Sequence, residues 1–281
     1  MNIKHIHLIY FSPTHTTRRI LEEIAKGMGR EAATVTDITH PEIRDQKPPV
    51  FGDDLVLMGA PVYSGRLPKD AARYFSELTA RGALAVPVVV YGNRAYEDAL
   101  LELKNTAEAC GFVSLAAGAF IGEHSFSGKE YIIAQNRPDK EDLAKAFAFG
   151  RKIAELLESI QTLKEIKPLT VPGQFPYKEA VARGPMDFIQ VTDDCDGCGV
   201  CSPACPANAI DEANGYATRP EGCIYCCSCI KACPPGARIM KEGFLKGIAK
   251  MLSENCSARK EPEVFTTSNQ DPATKVHDVL G

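Results

Sequence analysis

The sequence predicts an α/β protein: a doubly wound five-stranded parallel sheet, followed by a small α+β module rich in cysteine. Three observations carry this. Over the first 160 or so residues, apolar runs of strand length alternate with helix-length amphipathic stretches, the pattern of a parallel sheet covered on both faces. Loops rich in hydroxyls, glycine and tyrosine follow the strands, where an open α/β sheet binds its ligands. Between Cys195 and Cys233 the chain then writes C-x2-C-x2-C-x3-C-P twice, offset by 28 residues.

Strands are expected near 5–11, 34–37, 55–59, 86–91 and 115–121, and helices near 17–29, 69–80, 96–110 and 140–160. After the first strand comes Ser12-Pro13-Thr14-His15-Thr16-Thr17, with a helix beginning near Arg18. Hydroxyls and free N–H groups at a helix N-terminus form an anion site, although hydroxyls in that place are also ordinary N-caps. Neither G-x-G-x-x-G nor G-x-x-x-x-G-K-[ST] is present, which argues against dinucleotide and nucleoside-triphosphate loops. Behind the third and fourth strands stand the loops 60–68 and 92–96. A further loop, 122–128, follows the fifth strand at the same end of the sheet, where His124 has a pKa range suited to proton delivery.

The domain plan is 1–162 for the sheet, 163–185 for a linker, 186–242 for the cysteine module and 243–281 for a C-terminal helix and tail. Pro168, Pro172, Gly173, Pro176, Gly184 and Pro185 make the linker semi-stiff. A helix over 243–254 is expected to place Phe244, Leu245, Ile248, Met251 and Leu252 on one side. The polar tail from Asn255 has Val264, Phe265, Val276 and Val279 as anchors.

At 281 residues, 44% hydrophobic and 24% charged, the chain is long enough for two compact domains and is not of disordered type. No apolar run reaches the ~18 residues of a bilayer span. Residues 1–11 read as a strand rather than a signal peptide, so a cytoplasmic protein is the default expectation. Net charge is −4, and the segment 186–242 has eight acids against four bases, so it carries the same imbalance as the whole chain. Such a face steers basic docking surfaces of redox partner proteins and repels nucleic acid, or is simply solvated.

Nine of the eleven cysteines lie in the repeat. Cys195, Cys198, Cys201 and Cys205 form the first copy, and Cys223, Cys226, Cys229 and Cys233 the second. Thiolates three apart on a tight loop converge on one face of an iron–sulfur cube, while the fourth, next to proline, is carried off by the start of a short helix. The alternatives are structural zinc, which favours two separated Cys pairs or histidine, and disulfides, which need an oxidising compartment. No histidine falls between Gln190 and Lys241. Cys227 stands where the first copy has Gly199 and reads as a small thiol beside the site; Cys110 and Cys256 read as structural.

The repeat resembles bacterial two-cluster ferredoxins. That resemblance implies two 4Fe-4S clusters with exchanged fourth ligands: Cys195, Cys198, Cys201 with Cys233, and Cys223, Cys226, Cys229 with Cys205. The first loop resembles the flavodoxin phosphate loop, T/S-x-T-G-x-T, which holds flavin mononucleotide (FMN). Ser12, Thr14 and Thr17 fill its hydroxyl positions, Thr16 a polar one, and His15 replaces the glycine. By the same resemblance, Ala60, Pro61, Val62, Tyr63, Ser64 and Gly65, with Gly92, Asn93, Arg94 and Tyr96, would clamp the isoalloxazine ring. Tyr63 and Tyr96 would stack on it, and Asn93 and Arg94 would meet its pyrimidine edge.

The chain as a whole is similar to the flavodoxin–ferredoxin fusion proteins of anaerobic bacteria and archaea, which implies electron transfer between a two-electron flavin and one-electron clusters. Two other functions stay open: a ferredoxin with a flavin-free docking domain, and a flavin-dependent reductase of a small substrate.

Overall fold

A computed structural model describes residues 3–29, 34–180 and 184–267. Five parallel strands form its centre: β1 (His5–Tyr10), β2 (Thr34–Asp37), β3 (Asp54–Pro61), β4 (Leu84–Tyr91) and β5 (Ala116–Ile121). Their spatial order is β2-β1-β3-β4-β5, every neighbouring pair parallel. That order is the flavodoxin-like form of the doubly wound sheet. Alternation along the strands divides the core in two. On β3, Val56 and Met58 join Phe11, Phe75 and Leu103 under α2 (Lys69–Ser76) and α3 (Ala99–Ala109). Leu55 and Leu57 join Ile20, Ile24 and Ile153 under α1 (Thr16–Gly27) and α4 (Lys140–Ser159).

Helices α1 and α4 meet backbone to backbone. A Cβ added at Gly150 would lie 2.0 Å from the Ile24 carbonyl oxygen, and one at Gly27 2.0 Å from that of Phe147. Helix α4 starts on a capping box: the Asp139 carboxylate accepts from the Glu141 and Asp142 N–H groups (3.0 and 3.1 Å), and Asp142 accepts from the Asp139 N–H (2.9 Å). Asp142 also pairs with Arg137, with Nε 2.8 Å from Oδ2, both residues being buried.

The elements expected from sequence are present, with changed limits. The helix expected over 69–80 stops at Ser76, because Thr79–Ala80 pairs instead with Val50–Phe51. The helix expected from 96 starts at Ala99, since the residues before it turn through positive φ at Asn93 and Glu97. The sheet also gains an antiparallel edge: Glu263–Thr266 pairs with β5, with Glu263 opposite Ala119. Along this strand Val264 packs into one core and Phe265 into the other, so both anchor the tail as expected. Val276 and Val279 lie outside the described residues.

The cysteine module holds two small antiparallel pairs, Ile189–Val191 with Arg238–Met240 and Ile210–Asp211 with Ala217–Thr218. Its short helix, Ser228–Lys231, carries Cys229 and precedes Cys233, so the expectation of a helix starting at the fourth cysteine is corrected. The C-terminal helix spans Phe244–Asn255. Leu245, Ala249 and Leu252 are its buried stripe, whereas Phe244 and Met251 point outward, 69% and 46% exposed, contrary to their expected side. The periodicity i, i+4, i+7 runs through Ala249, which a count of large apolar residues overlooks. The linker is pinned to the sheet domain. Leu169 and Val171 enter its core, Asp98 accepts from the N–H groups of Gln174 (2.9 Å) and Lys178 (2.8 Å), and Arg66 lies 4.8 Å over the Tyr177 ring.

Candidate functional site

The two cysteine turns are superimposable in plan. In the first copy Gly197 and Gly199 take positive φ (72° and 73°); 28 residues later Tyr225 and Cys227 take 62° and 55°. Left-handed backbone is uncommon for residues with a Cβ and is held by tertiary contacts. Cys227 is 2% exposed in the module core, and the Tyr225 hydroxyl donates to the Gly184 carbonyl at 2.6 Å. Cys227 is therefore a packing residue at a turn, as its place in the repeat suggests.

The fourth cysteines change places. Cys195, Cys198 and Cys201 line one cavity together with Cys233. Cys205 lies within electrostatic reach of Cys223, Cys226 and Cys229. Burial pushes the Cys223 thiol up to about 11, and also raises Cys201, Cys226 and Cys229. Without a cation these thiols stay protonated, and a coordinated metal reverses that by taking the thiolate. Donors already face the sulfurs, among them the Ala209 N–H at 3.2 Å from Cys205 Sγ and Arg238 Nη1 at 3.8 Å from Cys201 Sγ. The donor set is all sulfur, with Cys201, Cys205, Cys226 and Cys229 buried and N–H groups at hand, which fits iron–sulfur ligation.

At the end of β1, His15 has φ 62° and ψ 0°, the left-handed turn that a glycine would supply. Ser12 Oγ accepts from the Arg18 N–H (3.0 Å) and so acts as a cap. Thr17 is fully buried and its Oγ1 has no hydrogen-bond partner, in the first turn of a twelve-residue helix. A buried hydroxyl is normally satisfied, and an orphan at a helix N-terminus suits an anion. Thr14 and Thr16 are half-buried beside it. The phosphate end of the site therefore fits FMN.

The ring end differs from expectation. Ala60 and Pro61 close β3, the Val62 N–H donates to Val90 (3.0 Å), and Tyr63 turns back through Ser64 and Gly65 onto Arg66. Across from it, the Asn93 amide donates to the Cys256 and Ala258 carbonyls at 2.7 and 2.8 Å. Arg94 pairs with Glu97, and the Tyr96 hydroxyl donates to Glu263 at 2.9 Å. The side chains of Asn93 and Tyr96 thus serve residues 256–263, which the strand Glu263–Thr266 brings alongside, and Arg94 is held within its own turn by Glu97. Tyr96 lines a cavity of about 850 Å³ with Lys145, Gly173, Lys260 and Glu263, and Tyr63 is not part of its lining.

Residues 189–211 match the family described as the 4Fe-4S binding domain. A 4Fe-4S domain follows a flavodoxin-like one. Among solved structures the chain is similar to a flavodoxin from the domain Archaea, with 11% identity over 54% of this chain and 98% of that one, at a TM-score of 0.35. It is similar to the Fusobacterium nucleatum flavodoxin bound to flavin mononucleotide, with 16% identity over 56% and 98%, at 0.37. It is also similar to the Flv1 flavodiiron core from Synechocystis, with 16% identity at 0.39, covering 55% of this chain and only 36% of that one. The sheet order, not these likenesses, establishes the flavodoxin-like fold.

The second cysteine turn docks on the loops at the carboxyl ends of the strands of the flavodoxin-like domain. Ser228 Oγ donates to the Pro13 carbonyl (2.6 Å) in the hydroxyl loop. Burial, with Cys226, Cys227 and Cys223 next to it, pushes the Tyr63 hydroxyl well above its ordinary range. Lys231 pairs with Glu123 and donates to the Ser127 carbonyl (3.1 Å), while Arg44 donates to the Pro206 carbonyl (3.0 Å). Nothing in the sequence marks Ser228, Arg44 or Lys231 as interface residues, since each contact joins segments more than 100 residues apart.

His124 lies over Gly92, its Nδ1 accepting from the Phe126 N–H at 3.0 Å. Burial, then the Lys231 and Arg94 cations, lower its pKa to about 4. It is neutral near pH 7, which places it outside the range of a proton donor at that pH. Because the folded chain binds this proton less readily than the unfolded chain, stability is full above pH 6.5 and falls as pH drops from 6.5 towards 4. His124→Gln is expected to flatten that slope in unfolding experiments across this window.

Proposed function

We propose that the protein transfers electrons through two 4Fe-4S clusters, one on Cys195, Cys198, Cys201 and Cys233 and the other on Cys223, Cys226, Cys229 and Cys205, with FMN on the flavodoxin-like domain as their two-electron partner. The exchange of the fourth cysteines between the two sets supports this reading most directly. It gives each cluster four thiolates and ties the two copies into one module.

FMN would rest phosphate-first on the loop 12–17, held by Thr17 Oγ1, the hydroxyls of Thr14 and Thr16 and the N–H groups of the first helical turn. Backbone groups of 60–65 and 92–94, with Tyr63, would take the ring. When bound, the flavin supplies exchange of two electrons, which clusters accept singly. The chain's own residues bury Cys201, Cys205, Cys226 and Cys229 and seat the second cysteine turn against Tyr63 and Pro13. Fusion then replaces a bimolecular encounter by a fixed neighbour. The acidic surface of the module is the docking face for a basic redox protein. Among the described residues no helix is long and apolar enough to cross a membrane.

Anaerobically purified protein is expected to contain eight iron, eight acid-labile sulfide and one FMN per chain; zinc or absent sulfide rejects the cluster reading. Thr17→Val removes an orphaned hydroxyl, so it leaves folding intact while weakening FMN binding roughly tenfold or more, as titration of flavin fluorescence reads. A second reading, a flavin-free docking platform, is favoured by the engagement of Asn93 and Tyr96 with residues 256–263. Eight iron without retained flavin selects it.

A further inference from the structure

Of the positions buried in both copies of the repeat, one differs. Ile210, 7% exposed, follows the first C-P-x-x-A turn; 28 residues later the same place is taken by Arg238, 2% exposed. Of the four bases between 186 and 242, Arg238 alone is buried. Its guanidinium is fixed by the Tyr216 carbonyl (2.6 Å from Nη1) and by Thr218 Oγ1 at Nη2. Nη1 also lies 3.8 Å from Cys201 Sγ, in one cysteine set, and the guanidinium is within electrostatic reach of Cys229, in the other. Nε is buried without a partner. The hydrogen bonds reach a thiol, a carbonyl and a hydroxyl, and among the described residues no carboxylate pairs with the charge.

A guanidinium buried without an anion is strongly unfavourable, and a buried N–H is almost always satisfied. Both requirements are met by an anion lying between Cys201 and Cys229. A 4Fe-4S cluster with four thiolates is such an anion, and reduction adds one more negative charge to it. Resting on the two-cluster reading above, we infer that Arg238 is the shared counter-charge of both clusters, stabilising their reduced forms and so setting their reduction potentials above those of an isoleucine-lined module. Its rigid fork would touch both sulfur sets at once, which a lysine ammonium does only as a point charge.

The test is an EPR-monitored redox titration of the full chain, with iron and sulfide counted on every sample. Arg238→Ile, which repeats the residue at 210, is expected to retain eight iron and eight sulfide while lowering both midpoint potentials. A tenfold change in each reduction equilibrium is about 59 mV for a one-electron couple. Arg238→Lys is expected to fall between the two. A fully loaded Arg238→Ile with unchanged potentials overturns the inference and leaves Arg238 a merely structural tie between Tyr216 and Thr218.

Should Arg238→Ile fail to load clusters, wild-type protein labelled with ¹⁵N-arginine provides the decision. Hyperfine coupling from ¹⁵N to the reduced clusters is expected in pulsed ENDOR, and its absence also overturns the proposal. Wild-type protein with four or no iron atoms instead sinks the two-cluster reading itself, a different result from intact clusters indifferent to Arg238.

Discussion

Cys233→Ala is expected to remove the cluster of the first cysteine motif, not that of its own motif, and to halve the iron content from eight to four. The cavity shared by Cys195, Cys198, Cys201 and Cys233 is the reason. Double substitutions make the crossing visible, because residues of one site are non-additive while independent sites add. Cys195→Ala with Cys233→Ala should still leave four iron, whereas Cys223→Ala with Cys233→Ala should leave none. The opposite pattern, in which Cys233 behaves as the partner of Cys223, removes the exchange of ligands. Because bound metal contributes to folding of the module, loss of a cluster is also expected to lower its resistance to unfolding.

Asp142→Ala should destabilise the flavodoxin-like domain by about 3–5 kcal/mol, the range for stripping one partner from a buried ion pair. Asp142 is fully buried, Arg137 is 6% exposed, and the two make a bidentate pair. Without the carboxylate, the Arg137 side chain keeps, among the described residues, only the Lys260 carbonyl, at 2.9 Å. The substitution also breaks the capping box of α4, which adds about 1 kcal/mol. Denaturant unfolding followed by far-UV circular dichroism measures the loss. The pair Asp142→Ala with Arg137→Met should recover part of it, since no charge is then left buried. An effect below about 1 kcal/mol for Asp142→Ala alone would show that water reaches Arg137.

Much of this arrangement was legible in the sequence. Strand and helix alternation located the five parallel strands because all but the edge strand β2 are short apolar runs bounded by turn residues, a signal contained within single windows. The cysteine spacing pointed to iron–sulfur ligation because ligand geometry is local to each turn. His15 marked the left-handed position at the end of β1, where the flavodoxin pattern has glycine. What stayed hidden depends on distant partners. Glu263–Thr266 is too short and too polar to announce a strand, and becomes one only against the free edge of β5. Asn93 and Tyr96 occupy ring-loop positions, yet their side chains answer to carbonyls and a carboxylate more than 160 residues away. Arg238 reads as a surface charge until the fold encloses it.

The strand Glu263–Thr266 has a consequence for how the molecule is partitioned. It returns the chain to the sheet after the iron–sulfur module has been made, so the first domain is discontinuous and the module is an insertion held at both ends. Truncation after residue 162 would therefore not liberate a self-contained sheet domain. It would uncover the β5 ladder and strip Asn93 of its acceptors, leaving a raw sheet margin of the kind that recruits other chains into aggregates.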